Sequence, residues 1–265
     1  LGEVIRSKSN ARVKALRAAL EGEASKVGDL VGLEGEHLLA EAVRSGFALE
    51  TVFVREGSER VLEREALAGL KAKEFVVLAK EVFASAMETH SPQGVAATMR
   101  IPEVPAGEGG VTLVVEDLQD PGNLGTLIRS LEAFGKGFGG GRVLATRATV
   151  NAWSPKVMRS SAGSVFRVPV ERMILPEIRK RVAGMKVYAA VVRSAEAASM
   201  VETVFAERCA VMIGNEGAGL SSEALAMADE RVWIPCSVES LNAGVAGSVM
   251  LFEVMRQKMS REKSQ

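Results

Sequence analysis

Short apolar runs alternate with stretches of helical spacing along most of the chain, the alternation of an α/β protein. In the first hundred residues, Leu49–Val54, Phe75–Leu78 and Gly94–Met99 predict strands. Glu36–Ser45 and Ser58–Leu70 predict helices. The segment from Arg100 to Gly110, with two prolines and three glycines, breaks the pattern and reads as a linker. The alternation then resumes. Val111–Val115, Arg142–Ala145, Lys186–Val192, Cys209–Ile213 and Arg231–Ile234 predict strands. Helices are expected from Asn123 to Phe134, and over Pro176–Ala183, Ser221–Ala228 and Asn242–Met259. Nearly continuous apolar strands separated by helices predict a parallel sheet covered on both faces. The expected division is a smaller α/β domain over 1–100, a linker over 101–110 and a larger α/β domain over 111–265.

Composition narrows this little. The chain has 265 residues, 47% hydrophobic and 25% charged, close to the average globular protein, which excludes a disordered or collagenous chain. The longest charge-free apolar stretch, Ser240 to Phe252, is too short for a membrane span of about 20 residues. No secretory signal is visible. The first residue is Leu1 rather than Met, so trimmed N-terminal residues are expected. Two cysteines and two histidines, widely spaced, fit neither a disulfide framework nor a zinc site. His37 and His90 stand apart from the loops considered below and read as noncatalytic. Net charge is zero, yet Arg129–Arg193 holds 13 Lys/Arg against 3 Asp/Glu. A local surplus of this kind can attract a polyanion; it also fits an ordinary solvated surface.

In open parallel sheets, ligands bind outside the carboxyl ends of the strands, so the chemistry is sought in the loops there. Gly135-Lys-Gly-Phe-Gly-Gly140 matches G-x-G-x-x-G but follows a helix and precedes a strand, the reverse of the dinucleotide context. It reads as a turn. Three other loops follow strands and open helices. Glu116–Arg129 contains Asp120-Pro-Gly-Asn123, with Asn123 suited to cap a helix and Arg129 nearly two turns further on. Ile213–Ser221 contains Gly214, Glu216, Gly217 and Gly219, which let the backbone approach a ligand. Ile234–Asn242 ends in Ser240-Leu241-Asn242 before a helix of small residues. Taken alone, the first and third loops read as helix caps, and the second reads equally as a tight strand-to-helix turn.

Taken in this order, the three loops resemble the SpoU, or TrmH, branch of the SPOUT RNA methyltransferases. Asp120-Pro-Gly-Asn123-Leu-Gly…Arg129, Ile213-Gly214-Asn-Glu216-Gly217-x-Gly219-Leu-Ser221 and Ile234-Pro235…Ser240-Leu241-Asn242 match the family's three motifs. Trp153-Ser-Pro-Lys156-Val-Met-Arg159-Ser-Ser161-Ala-Gly163 is a further family-like stretch. Residues 4–99 look like the substrate-binding domain often joined to this catalytic domain, through Ile5-x-Ser7-x-x-Asn10-x-x-Val13-Lys14 and Gln93-Gly94.

The resemblance implies transfer of methyl from S-adenosylmethionine to a ribose 2′-hydroxyl of rRNA or tRNA, with rRNA favoured. It implies a C-terminal sheet domain tied in a deep trefoil knot, a homodimer, an RNA partner, no membrane and a cytoplasmic location. By the same resemblance Arg129, Asn123, Glu216, Ser240 and Asn242 are the catalytic set. Gly214, Gly217, Ile234 and Leu241 hold the methyl donor, and Lys156 and Arg159 lie near RNA phosphates. No metal is expected, because displacement at a sulfonium needs none. The alternative is a noncatalytic RNA-binding or ribosome-assembly protein on the same scaffold. Two departures from the family are visible: Ala243-Gly244 where a bulkier residue often follows the asparagine, and a long Gly-rich turn at 137–141.

Overall fold

The computed structural model describes residues 2–89, 91–105, 110–135 and 139–263. His90, most of the linker's glycines and the middle of the Gly135–Gly140 turn lie outside them. The chain forms two compact units, Leu1–Glu103 with Asn151–Phe166, and Val104–Val150 with Arg167–Gln265. The sequence places Asn151–Phe166 in the second domain; in the structure these residues fold with the first. The reason is their burial. Asn151 Nδ2 donates to the carbonyls of Gly22 and Ala24 at 3.0 and 2.7 Å. Trp153 stacks on Phe166, and Phe166 meets Phe47 edge-on.

The first unit contains a mixed sheet in the order β1 (Leu30–Glu34), β4 (Val95–Arg100), β2 (Leu49–Arg55) and β3 (Ala72–Leu78). Only β2 and β3 run parallel. Ile5 adds a bridge beside Leu78. Helix α1 (Ala11–Leu20) starts where the Asn10 side chain accepts the Arg12 N–H at 2.9 Å, and it buries Val13, Leu16, Ala19 and Leu20 on one face. Asn10 and Val13 of the N-terminal motif are thus a cap and a core residue. Helices α2 (Glu36–Arg44) and α3 (Lys80–Ala86) complete this layer. The helix expected over Ser58–Leu70 is instead two 3₁₀ turns, Glu59–Glu63 and Glu65–Leu67, because Arg64 between them is extended (φ −69°, ψ 141°). Helix α5 (Pro155–Ser160), capped by Ser154, belongs to this unit too.

The second unit is a seven-stranded parallel sheet. Its strands are β5 (Val111–Val115), β6 (Gly141–Thr146), β7 (Val170–Met173), β8 (Lys186–Ala190), β9 (Ala198–Ser199), β10 (Cys209–Ile213) and β11 (Glu230–Trp233), in the order β7-β6-β5-β10-β8-β11-β9. The chain moves outward from β5 to β7, then crosses back to the other side. The strand order therefore reverses between β5 and β10, which pair in register from Cys209↔Val111 to Ile213↔Val115. These two strands are fully buried, and their apolar runs are the ones the sequence marks most clearly. Cys209 lies within this core, where burial pushes its thiol up to about 12; Cys236 is exposed, and both are free.

Helices α4 (Pro121–Gly135), α6 (Leu175–Arg181), α7 (Ser222–Leu225) and α8 (Ala243–Glu262) connect and cover the sheet. Helix α8 lies tightly along α4. A Cβ on Gly247 would come within 2.3 Å of Leu127 Cδ2, and the Ser130 and Ser248 hydroxyls meet at 2.7 Å. The small residues at the start of α8 exist for this approach.

Candidate active site

The loops after β5 and β10 leave the sheet side by side at the reversal of strand order, the position where such sheets bind ligands. They are bonded to each other at several points. The Glu216 carboxylate accepts Asp120 N–H at 3.0 Å, Gln119 N–H at 3.3 Å and Asn123 Nδ2–H at 3.0 Å. Burial alone would raise its pKa. The hydrogen bonds from Asn123, Asp120 and Gln119 together outweigh that and hold it below the usual carboxylate value. Glu216 is therefore ionised at neutral pH and a weak base, and it orients Asn123 rather than Arg129.

Helix α4 begins earlier than the sequence suggests. Asp120 caps it, its Oδ1 accepting the Asn123 N–H at 2.8 Å, with Pro121 in the first turn. Asn123 is thus not the cap. It sits inside the first turn, nearly buried, and its side chain is free to meet Glu216. Arg129 projects from α4 into solvent, with no hydrogen bond or ion pair to any described residue.

Residues not singled out from sequence make the frame. Asn215 Oδ1 accepts the N–H groups of Gly217 and Ala218 at 2.9 and 3.0 Å, and its Nδ2 donates to the Asp117 carbonyl at 2.8 Å. Asp117 adopts positive φ (52°). Thr146, at the end of β6, holds it there by accepting its N–H at 2.8 Å and donating to its Oδ1 at 2.7 Å. The buried Glu116 carboxylate accepts both the N–H and the hydroxyl of Ser221 at 2.8 and 2.6 Å, fixing the start of α7. A polar residue directly after a predicted buried strand is the only sequence signal that would have found Glu116 and Asp117.

Gly214 shows why this turn needs glycine. A Cβ there would fall 2.2 Å from the Gly219 carbonyl carbon, across the Asn215–Gly219 backbone bridge. The third loop joins through α8. Asn242 caps that helix, accepting the Val245 N–H at 3.1 Å. A Cβ on Gly244 would lie 3.1 Å from Asn123 Oδ1 and 3.2 Å from Asn242 Oδ1. A side chain at Gly244 would crowd Asn123 and Asn242 alike. Ser240 is exposed, while Ile234 and Leu241 are half-buried. Lys156 and Arg159 belong to the first unit. Lys156 is exposed, and Arg159 is held by Glu88 at 3.1 Å.

The model of the SpoU rRNA methylase family matches residues 110–252, and that of the MRM3-like substrate-binding domain matches residues 10–97. The chain is 31% identical over 226 residues to the 23S rRNA (guanosine(2553)-2′-O)-methyltransferase RlmP of Bacillus subtilis, spanning 84% of this chain and 87% of that protein. It is 34% identical to an uncharacterized tRNA/rRNA methyltransferase of Synechocystis, over 96% of this chain and 94% of that one. The AdoMet-bound rRNA methyltransferase from Sinorhizobium meliloti superposes with a TM-score of 0.76 at 26% identity, over 96% and 97% of the two chains.

Proposed function

Since this chain belongs to the SpoU rRNA methylase family and is an S-adenosylmethionine-dependent RNA ribose 2′-O-methyltransferase, we propose that its active centre is the clasp of Asn123, Glu216 and the start of α8, with Arg129 as the charge that meets the substrate. One observation carries this reading. Glu216 fastens Asn123 across two loops that leave adjacent strands where the strand order reverses. rRNA is the favoured substrate, following the relatives' activities.

The residues present suit the methyl donor. Residues 234–241 run outside any strand or helix, so main-chain groups there can meet a ligand. Half-buried Ile234 and Leu241 offer apolar surface to a purine, and Gly217 is an exposed position without a side chain. In this reading Gly214, Gly217, Ile234 and Leu241 hold S-adenosylmethionine. When bound, it would supply an electrophilic methyl to the ribose oxygen, whose proton would pass to solvent.

Arg129 stays charged and cannot accept that proton. Its role is to position the ribose and stabilise negative charge growing on the oxygen. Glu216, ionised and thrice hydrogen-bonded, orients Asn123. Ser240 and Asn242 close the opposite wall. Lys156 and Arg159 contact RNA phosphates, and the domain matched at residues 10–97 selects the RNA. The 2′-hydroxyl itself separates RNA from DNA.

The same reading includes a knotted C-terminal segment, a cytoplasmic location and a homodimer. Val245, Phe252 and Met259, all exposed and seven residues apart on α8, form one apolar stripe suited to a second copy. No described helix is long and apolar enough to cross a membrane. Calorimetry with S-adenosylmethionine and transfer of labelled methyl to large-subunit rRNA test the assignment. Absence of binding at millimolar ligand overturns it.

A further inference from the structure

The basic surplus between Arg129 and Arg193 is only partly absorbed by ion pairs. Arg167 is paired with Glu132, and Arg181 with Glu171. Arg147 and Arg172 are not paired with any described carboxylate. Both are exposed. Arg147 lies in the turn just after β6, and Arg172 next to the end of β7, in register with Ala145. In a parallel sheet those ends share the edge from which the catalytic loop after β5 emerges. Adjacent strands lie about 4.8 Å apart, so β6 and β7 stand roughly 5 and 10 Å to one side of β5.

The two arginines are physically joined to that loop. The Arg172 guanidinium donates to the Arg147 carbonyl. The next carbonyl, that of Ala148, accepts Gln119 Nε2–H at 2.7 Å. Gln119 N–H then donates to Glu216, which holds Asn123. The carboxylates near this path are occupied within the protein: Asp117 Oδ1 accepts the Thr146 hydroxyl and Asp120 Oδ1 accepts the Asn123 N–H. The Arg147 side chain has no partner among the described residues.

We propose that Arg147 and Arg172 hold the phosphates flanking the target ribose, so that the RNA strand runs across the carboxyl ends of β5, β6 and β7. This rests on the methyltransferase reading above. The surface suits an extended polyanion: two exposed guanidiniums lie along the edge from which the loop after β5 emerges. Arg172, anchored by one N–H, keeps others for a phosphate. The arginines recognise backbone and carry no base information, so specificity for the nucleotide lies elsewhere.

The test uses the full chain and transcribed bacterial large-subunit rRNA. Filter binding is measured between about 50 and 200 mM salt, where each lost phosphate contact on a single strand flattens the log–log slope by about 0.7. Arg147→Ala and Arg172→Ala are each expected to flatten it by that amount and to raise the RNA KM about tenfold, with kcat and the affinity for S-adenosylmethionine retained. Arg179→Ala, on the exposed end of α6 carried back toward the amino ends of the strands, is expected to leave the slope unchanged. Because the Arg147 side chain bonds to no described residue, Arg147→Ala is expected to keep the wild-type urea midpoint, measured alongside. An Arg147→Ala protein with wild-type slope and RNA KM overturns the proposal. A wild-type protein that neither binds S-adenosylmethionine nor methylates RNA overturns instead the reading on which it rests.

Discussion

At the scale of single residues, the proposed site divides labour between Glu216, held by its neighbours, and Arg129, which has no partner among the described residues. Removing the cation is expected to disable the reaction and leave the frame intact. Arg129→Ala should lower kcat on the order of 10²–10³-fold, the usual loss for one charge-stabilising donor. Calorimetric affinity for S-adenosylmethionine should be unchanged, since Arg129 supports none of the described loops. The carboxylate makes a different prediction. Glu216 is held below its ordinary value of 4.5, so its contribution is complete above that pH and is lost as the pH falls through the depressed value. A carbon-detected NMR titration should find its midpoint under 4.5; a midpoint above it would mean that Asn123 is not its donor in solution. Arg129, Asn123, Glu216, Ser240 and Asn242 are picked out in the sequence as candidates through motif resemblance. Their connections are not. Asn123 reads as a cap because Asn is a good one, yet Asp120 three residues earlier competes for that place and wins, freeing the Asn123 side chain.

At the scale of elements, the packing of α8 decides whether the third loop reaches the other two. Gly247→Ala would press a methyl against Leu127 Cδ2, which is wholly buried and has little room to turn. The expected cost is about 1–3 kcal/mol in urea unfolding. Gly214→Ala meets backbone rather than the end of a side chain, so its loss should be the larger of the two. The outward face of the same helix yields another prediction. Phe252→Lys, placed in the middle of the exposed stripe, should shift the proposed dimer to monomer in light scattering; an unchanged mass would assign the stripe another role. The buried strands β5 and β10 are plain in the sequence because both faces are covered and every residue is apolar or small. Segments with one exposed face are harder to read. Helix α1 escapes notice because its buried positions are diluted by Arg12, Lys14 and Arg17. The Ser58–Leu70 stretch misleads in the other direction, since its spacing suits a helix while Arg64 is extended.

At the scale of the whole molecule, the division into units does not follow the chain. Residues 151–166 leave the second unit between β6 and β7 and fold with the first. No composition change marks the excursion; a boundary search that looks for prolines, glycines and charge runs finds only the linker. What the segment does carry is a buried apolar set, Ala152, Trp153, Val157, Met158 and Phe166. A fragment starting at residue 104 should therefore expose these side chains and bind a hydrophobic dye, whereas the intact chain should not.

The excursion also bears on how such proteins can be recombined. A gene fusion cut only at the linker would pair a foreign recognition body with sixteen residues shaped for the original one. Substrate preference should transfer between relatives only when both stretches travel together, which makes the protein a poor cassette despite its tidy linear map.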